Sequence, residues 1–191
     1  MFGIGKSKKL DPTDRVILYR YPFAERLNPS LYDVIKEMID QPAEIVQGGC
    51  ARTPIDLNRR GIPPIDNLLR WVTATIPEAS FEFADGKYRG DEAGTGGKGG
   101  YKPDNFEIDT CWAMLYNKGT SVESHNHFPY PIAFVYYVNT PEGCAPTIMR
   151  GKELNPKAGE MLMFMGHHYH SVPPSDVDGR CVLSGLINYN P

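Results

Sequence analysis

The apolar positions of this chain change period partway along it. Leu31, Val34, Ile35, Met38 and Ile39 recur at i, i+3, i+4, i+7 and i+8, one stripe of an amphipathic helix. Ser30 followed by Asp33 resembles a capping box at its start. Leu68, Leu69, Val72 and Ile76 make a second stripe and predict a helix over residues 65–76. Ahead of both, Val16-Ile17-Leu18-Tyr19 predicts a strand within residues 15–21. Between the two helices, Gln41 to Pro64 is polar and rich in Pro and Gly, which predicts loop.

Beyond residue 105 the apolar segments become short. Residues 108–116, 133–138, 147–149, 160–165 and 180–188 read as strands. Turn clusters such as Asn117-Lys118-Gly119, Thr140-Pro141-Glu142-Gly143 and Pro156-Lys157-Ala158-Gly159 separate them. Short strands at this spacing predict a sandwich or jelly-roll barrel. The expected layout is an N-terminal part over residues 1–105, with a strand, helices and a Gly-rich loop, packed on a β core over residues 106–191, in one structural domain.

The Gly-rich segment, Gly90-Asp91-Glu92-Ala93-Gly94-Thr95-Gly96-Gly97-Lys98-Gly99-Gly100, invites a phosphate-loop reading. Lys98 is followed by Gly rather than Ser or Thr, and Glu92 stands where a Gly is required, so that reading fails. A mobile surface loop and a lid over a site are the two expectations left.

Composition removes several function classes. The 191 residues carry a net charge of −3, with a pI near 5.9, which argues against non-specific nucleic-acid binding. Lys6 to Lys9 is a short basic run that reads as a solvated tail. Met1 to Asp11 has no apolar core of a signal peptide. No apolar run approaches the roughly 18 residues of a membrane span. Cys50, Cys111, Cys144 and Cys181 are widely spaced with no C-x-x-C pair, against a zinc ribbon or a disulfide framework. A cytoplasmic protein is expected, and oligomeric state is left open.

The candidate chemistry lies in the histidines. All five fall in two clusters, His125 and His127 in one, and His167, His168 and His170 in the other. Neutral imidazole is the commonest protein ligand for a transition metal. Two His at i and i+2 on a strand share a face. A third from a distant strand completes one triangular face of a coordination sphere and leaves positions open for substrate. His168 has the parity to replace His170, and His167 reads as an outer or surface residue. Asn126 lies on the opposite face, while Glu123 has the parity to accept an imidazole N–H. Trp112 shares parity with Met114 and Tyr116, so it faces either the barrel interior or the core. Ile132 to Val138 reads as core sheet.

Taken in order, Tyr116, Gly119, His125-Asn126-His127, Asn155-Pro156-Lys157-Ala158-Gly159-Glu160, His170-Ser171-Val172-Pro173 and Arg180 resemble the 2-oxoglutarate/Fe(II) dioxygenase superfamily in its prolyl-4-hydroxylase-like branch. They are most similar to a subgroup frequent in phage and marine bacteria that has His-x-His where most relatives have His-x-Asp. The resemblance covers roughly residues 108–190. It implies a double-stranded β-helix, the jelly-roll or cupin-like barrel. It implies Fe(II) held by His125, His127 and His170, with 2-oxoglutarate and O₂ as co-substrates. Arg180, ten residues after His170, matches the cation that anchors the far carboxylate of 2-oxoglutarate. An always-charged planar guanidinium suits that role, and Tyr116 and Ser184 are candidates for a hydroxyl contact. The expected activity is hydroxylation of an unknown substrate, with a protein or peptide side chain among the candidates. The rivals are a three-His cupin-like metalloenzyme that takes no 2-oxoglutarate, and a non-enzymatic jelly-roll binding or virion module. The third His removes a negative charge from the usual site, so the metal's identity stays open.

Overall fold

A computed structural model of the chain describes residues 7–11, 15–40, 44–46, 48–83 and 105–190. Two antiparallel sheets face each other, and two helices cover the outer face of the larger one. The larger sheet is built from β1 (Ser7–Asp11), β2 (Val16–Arg20), β3 (Glu44–Ile45), β4 (Ala51–Arg52), β5 (Phe106–Tyr116), β7 (Ile132–Asn139), β10 (Glu160–Met165) and β12 (Arg180–Tyr189). Its spatial order is β1-β2-β10-β7-β12-β5-β4-β3. The smaller sheet holds β6 (Val122–His125), β8 (Thr147–Met149), β9 (Lys152–Leu154) and β11 (His170–Val172), in the order β6-β11-β8-β9. This is the double-stranded β-helix. The larger sheet draws strands from both sides of residue 105.

The central strands are covered on both faces, and their sequences reflect it. β7 and β12 are buried almost throughout, so they read as continuous apolar runs rather than alternating ones. Parity still sorts the faces. Phe134, Tyr136, Cys181, Leu183, Met161 and Met163 join the cluster under the helices. Ala133, Tyr137, Val182, Leu162 and Phe164 join a second cluster between the sheets.

The helices extend past the boundaries their periodicity predicts. α1 spans Ala24–Asp40 and runs through Ser30, so Ser30 caps nothing. Its first turn closes on the Phe23 carbonyl, which accepts from the N–H groups of Arg26 and Leu27 at 3.1 Å each. Asn28 then ties the helix to β7: its amide donates to the Val138 carbonyl (2.8 Å) and its oxygen accepts from the Tyr136 hydroxyl (2.6 Å). These tertiary bonds outweigh the local capping signal. α2 spans Pro63–Phe83 and continues through Pro77, where sequence reasoning ends it. Ile76, Ala79 and Phe83 are buried on either side of that proline, and this burial carries the helix on.

The segment 41–64, expected as loop, contributes the β3–β4 hairpin to the larger sheet. β1, β6, β9 and β11 are likewise strands that the sequence pattern does not announce. The glycine-rich segment 90–100 and its lid expectation lie outside the described residues.

Candidate metal centre

The three predicted histidines converge. His125 ends β6 and His170 begins β11, and the two lie directly opposite each other in the antiparallel pairing of those strands. Opposed residues share a face, and their ring centroids are 4.3 Å apart. His127 reaches the same point by a different route than strand parity. β6 stops at His125, so His127 sits beyond the strand, pinned by its main chain. Its N–H donates to the Gly166 carbonyl (2.7 Å), and its carbonyl accepts from the Tyr130 N–H (2.9 Å). Its ring stands edge-on to Trp112, 5.9 Å between centroids, and 5.0 Å from the rings of both His125 and His170. One nitrogen from each of the three lies within 4.8 Å of the others.

Gly166 makes the approach of the His127 turn possible. A Cβ at this position would stand 2.0 Å from the Tyr130 carbonyl oxygen, closer than any real contact allows.

The ring orientations suit a metal. The Nδ1 of His125 lies 2.9 Å from the Glu123 main-chain oxygen, and that of His170 lies 3.1 Å from the His168 main-chain oxygen. A carbonyl only accepts, so each Nδ1 carries the proton and each Nε2 keeps its lone pair. Burial, reinforced by the neighbouring imidazoles, pushes His127 down to about 3 and His170 down to about 4. Both are neutral at ordinary pH, the form that binds a metal.

The neighbouring candidates fall elsewhere. Glu123 contributes its main-chain carbonyl, while its side chain is exposed; the carboxylate–imidazole contact expected from its parity is replaced by a main-chain one. The Asn126 side chain accepts from the Phe128 N–H (3.2 Å). His168 is buried with its ring against His167, outside the three-nitrogen group. No carboxylate belongs to that group.

Arg180 opens β12 and is 1% exposed. Its Nη2 donates to the Thr147 hydroxyl (2.9 Å), and Nη1 makes no hydrogen bond. The guanidinium lies over the faces of Tyr116 and Tyr137, 4.4 and 5.4 Å from their centroids. Among the described residues it has no carboxylate partner. A buried charge left this way is costly unless an anion joins it. The Tyr116 hydroxyl points to the Met114 sulfur (3.8 Å). Ser184 lies on the same face of β12 as Arg180, four residues on, opposite Trp112.

Sequence reasoning missed Thr147 and Tyr137. Their hydroxyls share a 2.6 Å hydrogen bond next to the guanidinium. Thr147 carried a usable signal, as the one hydroxyl in the short apolar strand β8. Tyr137 carried none, because it sits in a run buried on both faces.

A cavity of about 530 Å³ joins the two features, reaching from His125, His127 and His170 past Trp112 to Arg180. It therefore offers a three-nitrogen metal face and a buried cation in one chamber.

No protein-family model matches this chain, and no curated protein matches it in sequence. Solved structures match its fold. A Pseudomonas putida prolyl-4-hydroxylase aligns with TM-score 0.63 at 17% identity, over 92% of each chain. A 2OG-Fe(II) oxygenase family oxidoreductase from Burkholderia pseudomallei aligns with TM-score 0.60 at 13% identity, over 96% of this chain and 93% of that one. The non-heme alpha-ketoglutarate-dependent epimerase SnoN of nogalamycin biosynthesis aligns with TM-score 0.66 at 10% identity, over 93% of this chain and 81% of that one. At these identities the likeness is one of fold.

Proposed function

We propose that this protein is a 2-oxoglutarate- and Fe(II)-dependent oxygenase that hydroxylates its substrate. The observation that carries the reading is Arg180, a fully buried guanidinium with no carboxylate partner among the described residues, in the chamber that also holds the three imidazoles. The solved structures of the same fold agree with it, since they include a prolyl hydroxylase and an alpha-ketoglutarate-dependent epimerase.

His125, His127 and His170 would hold the iron, the first and last through Nε2, leaving the other coordination positions for ligands. When bound, the iron would supply the oxidation, in which substrate C–H, O₂ and 2-oxoglutarate become C–OH, CO₂ and succinate. The chain's own residues do the rest. Arg180, 1% exposed, receives the far carboxylate of 2-oxoglutarate through Nη1, a charge-assisted bond. Thr147 and Tyr137 hold the guanidinium in place, and Tyr116 packs against its face. Trp112 fixes the His127 ring from the side. Ser184 and the Tyr116 hydroxyl are the further polar groups we assign to the co-substrate's surroundings.

The three-His set also suits a cupin-type metalloenzyme that takes no 2-oxoglutarate, and Arg180 separates the two readings because that enzyme needs no buried cation. We place the reaction in the reducing cytoplasm, on four free cysteines of which three are buried. No described helix is long and apolar enough to cross a membrane. The test is anaerobic titration of the protein with Fe(II) and 2-oxoglutarate. A weak visible charge-transfer band should appear with one equivalent of each and be lost in Arg180→Ala at the same concentrations. Iron binding with no band at any 2-oxoglutarate concentration would sink the reading.

A further inference from the structure

The chamber has a second cation, and it lies at the mouth. Arg52 on β4 stands directly opposite Met114 on β5, so it shares the site face of the larger sheet. The row runs on from Met114 to Val182 and Tyr137. Arg52 lines the same cavity as the histidines and Arg180.

The mouth is defined by two sheet edges. β4 and β3 end the larger sheet, and β6 ends the smaller one. They are joined where the Ser121 N–H donates to the Gly48 carbonyl (2.9 Å). Gly48 has φ +89°, and a Cβ there would lie 2.1 Å from the Ser121 oxygen, so the closure depends on glycine. Arg52, Val46 and Ile55 line the cavity from the side of the larger sheet's edge, and Val122 and Glu123 from the smaller sheet's, together with Trp112.

Arg52 is incompletely paired for a residue in such a place. One nitrogen, Nη2, meets the Glu44 carboxylate. Nε is sealed from solvent and has no hydrogen-bond partner. The Glu44 side chain is 61% exposed, and ion pairs of that kind contribute little. An incoming anion in the chamber, less screened than Glu44, can displace it. Part of the wall is apolar, formed by Ile55, 47% exposed, with Val46, Trp112 and Leu186, while Thr110, Glu123 and Ser124 line the remainder.

We propose that the substrate is an organic carboxylate with an apolar body, and that Arg52 is the residue that selects it. This rests on the oxygenase reading, in which Arg180 is occupied by 2-oxoglutarate and Arg52 remains for the substrate. The apolar part lies along Ile55 and Trp112, next to the His127 ring, and Glu44 is the counter-ion that leaves. The chamber is of the size that holds a small-molecule ligand, roughly 300–1,000 Å³.

The test uses a matched series of probes, hexanoate, hexanamide and hexylamine, titrated by ligand-observed NMR against anaerobic protein saturated with Fe(II) and 2-oxoglutarate. Hexanoate should bind at least about tenfold tighter than hexanamide, the size of one charge-assisted hydrogen bond, and hexylamine weakest. Arg52→Gln should remove the preference, and Arg52→Lys should keep part of it. Glu44→Gln should strengthen hexanoate binding, because the competing carboxylate is gone. A merely structural edge pair would give Arg52→Gln and Glu44→Gln the same phenotype, so opposite shifts separate the two roles. Thermal unfolding close to the parent in both variants shows that each is folded. Equal binding of hexanoate and hexanamide, tighter binding of hexylamine, or a hexanoate preference that survives Arg52→Gln overturns the proposal. The charge-transfer band recorded before each titration reports separately on the oxygenase reading: with the band present and no carboxylate preference, only the Arg52 assignment fails.

Discussion

The two faces of the larger sheet do different work with alternate residues of the same strands. On the helix side, Tyr19, Tyr21, Trp71 and Tyr136 form an edge-to-face aromatic cluster with centroids 5.1–6.5 Å apart. On the other side stand Tyr116, Arg180 and Ser184, in the cavity that also holds the histidines, with the Tyr137 ring 5.4 Å from the guanidinium. The first face is held by packing, and it buries the Tyr19 hydroxyl and the Trp71 Nε1 without a hydrogen-bond partner. The second brings three imidazoles together beside a buried cation that has no carboxylate partner among the described residues. Stability and chemistry are thus separated by parity, and substitutions on the two faces should have separable effects.

The largest expected effect is on the metal. The double variant His125→Ala/His170→Ala removes two of the three proposed ligands and should reduce bound Fe(II) from one per chain to none, measured by metal analysis after desalting. His167→Ala should leave occupancy intact. The helix-face cluster is untouched in all of these, so far-UV circular dichroism should not change. Full occupancy in the double variant overturns the ligand assignment.

Next comes the opposite face. Trp71 is 1% exposed at the centre of the aromatic cluster. Trp71→Ala should cost about 3–5 kcal/mol through cavity formation, a fall in Tm of roughly 6–20 °C. The protein that remains folded should bind metal with parent affinity. A large loss of metal affinity in the folded fraction would show that the faces are coupled.

How much of this division was legible in the sequence varies by residue. The two helices announce themselves by period, and the strands β2, β5, β7, β8, β10 and β12 as short apolar runs, most of them bounded by turn residues, because each is buried on at least one face. The His clusters stood out by composition alone. The reason they converge was only half visible: strand pairing accounts for His125 and His170, but His127 is placed by Gly166 and Trp112, from segments 39 and 15 residues away in sequence. Such long-range main-chain bonds leave no periodic trace. Arg52 and the β3–β4 hairpin were hidden for a related reason. Strands of two residues are too short to show alternation, and the surrounding Pro and Gly read as loop.

Arg180 tests the separation of stability from chemistry most directly. Arg180→Met keeps much of the volume and removes the buried charge. Without ligand it should be more stable than the parent, by about 1–3 kcal/mol, since replacing buried charge with apolar side chains is often stabilising. Its affinity for 2-oxoglutarate in the presence of metal should fall by about 2–4 kcal/mol. Thermal shift with and without the co-substrate reads both quantities, because a ligand of the native state raises Tm with its occupancy. An unchanged 2-oxoglutarate affinity would move the anchor to Arg52, the other guanidinium of the chamber, and would remove the basis for reading Arg52 as a substrate residue.

The smallest effect expected is at Thr147, and it shows whether the hydroxyl pair positions Arg180 or does more. Thr147 accepts from Arg180 Nη2 and shares a hydrogen bond with the Tyr137 hydroxyl. Thr147→Val keeps the shape and removes both bonds. The guanidinium then retains its place between the tyrosine rings but loses its directional restraint. Weakening of 2-oxoglutarate by about 1 kcal/mol, roughly fivefold, should follow, with the charge-transfer band of the saturated complex unchanged in position. Thr147→Ser restores the hydroxyl and should recover the affinity. A loss as large as that of Arg180→Met would mean that Thr147 itself contacts the carboxylate. Parent affinity in Thr147→Val would mean that the tyrosine faces alone hold the cation, and that this part of the site is fixed by packing in the same way as the helix side of the sheet.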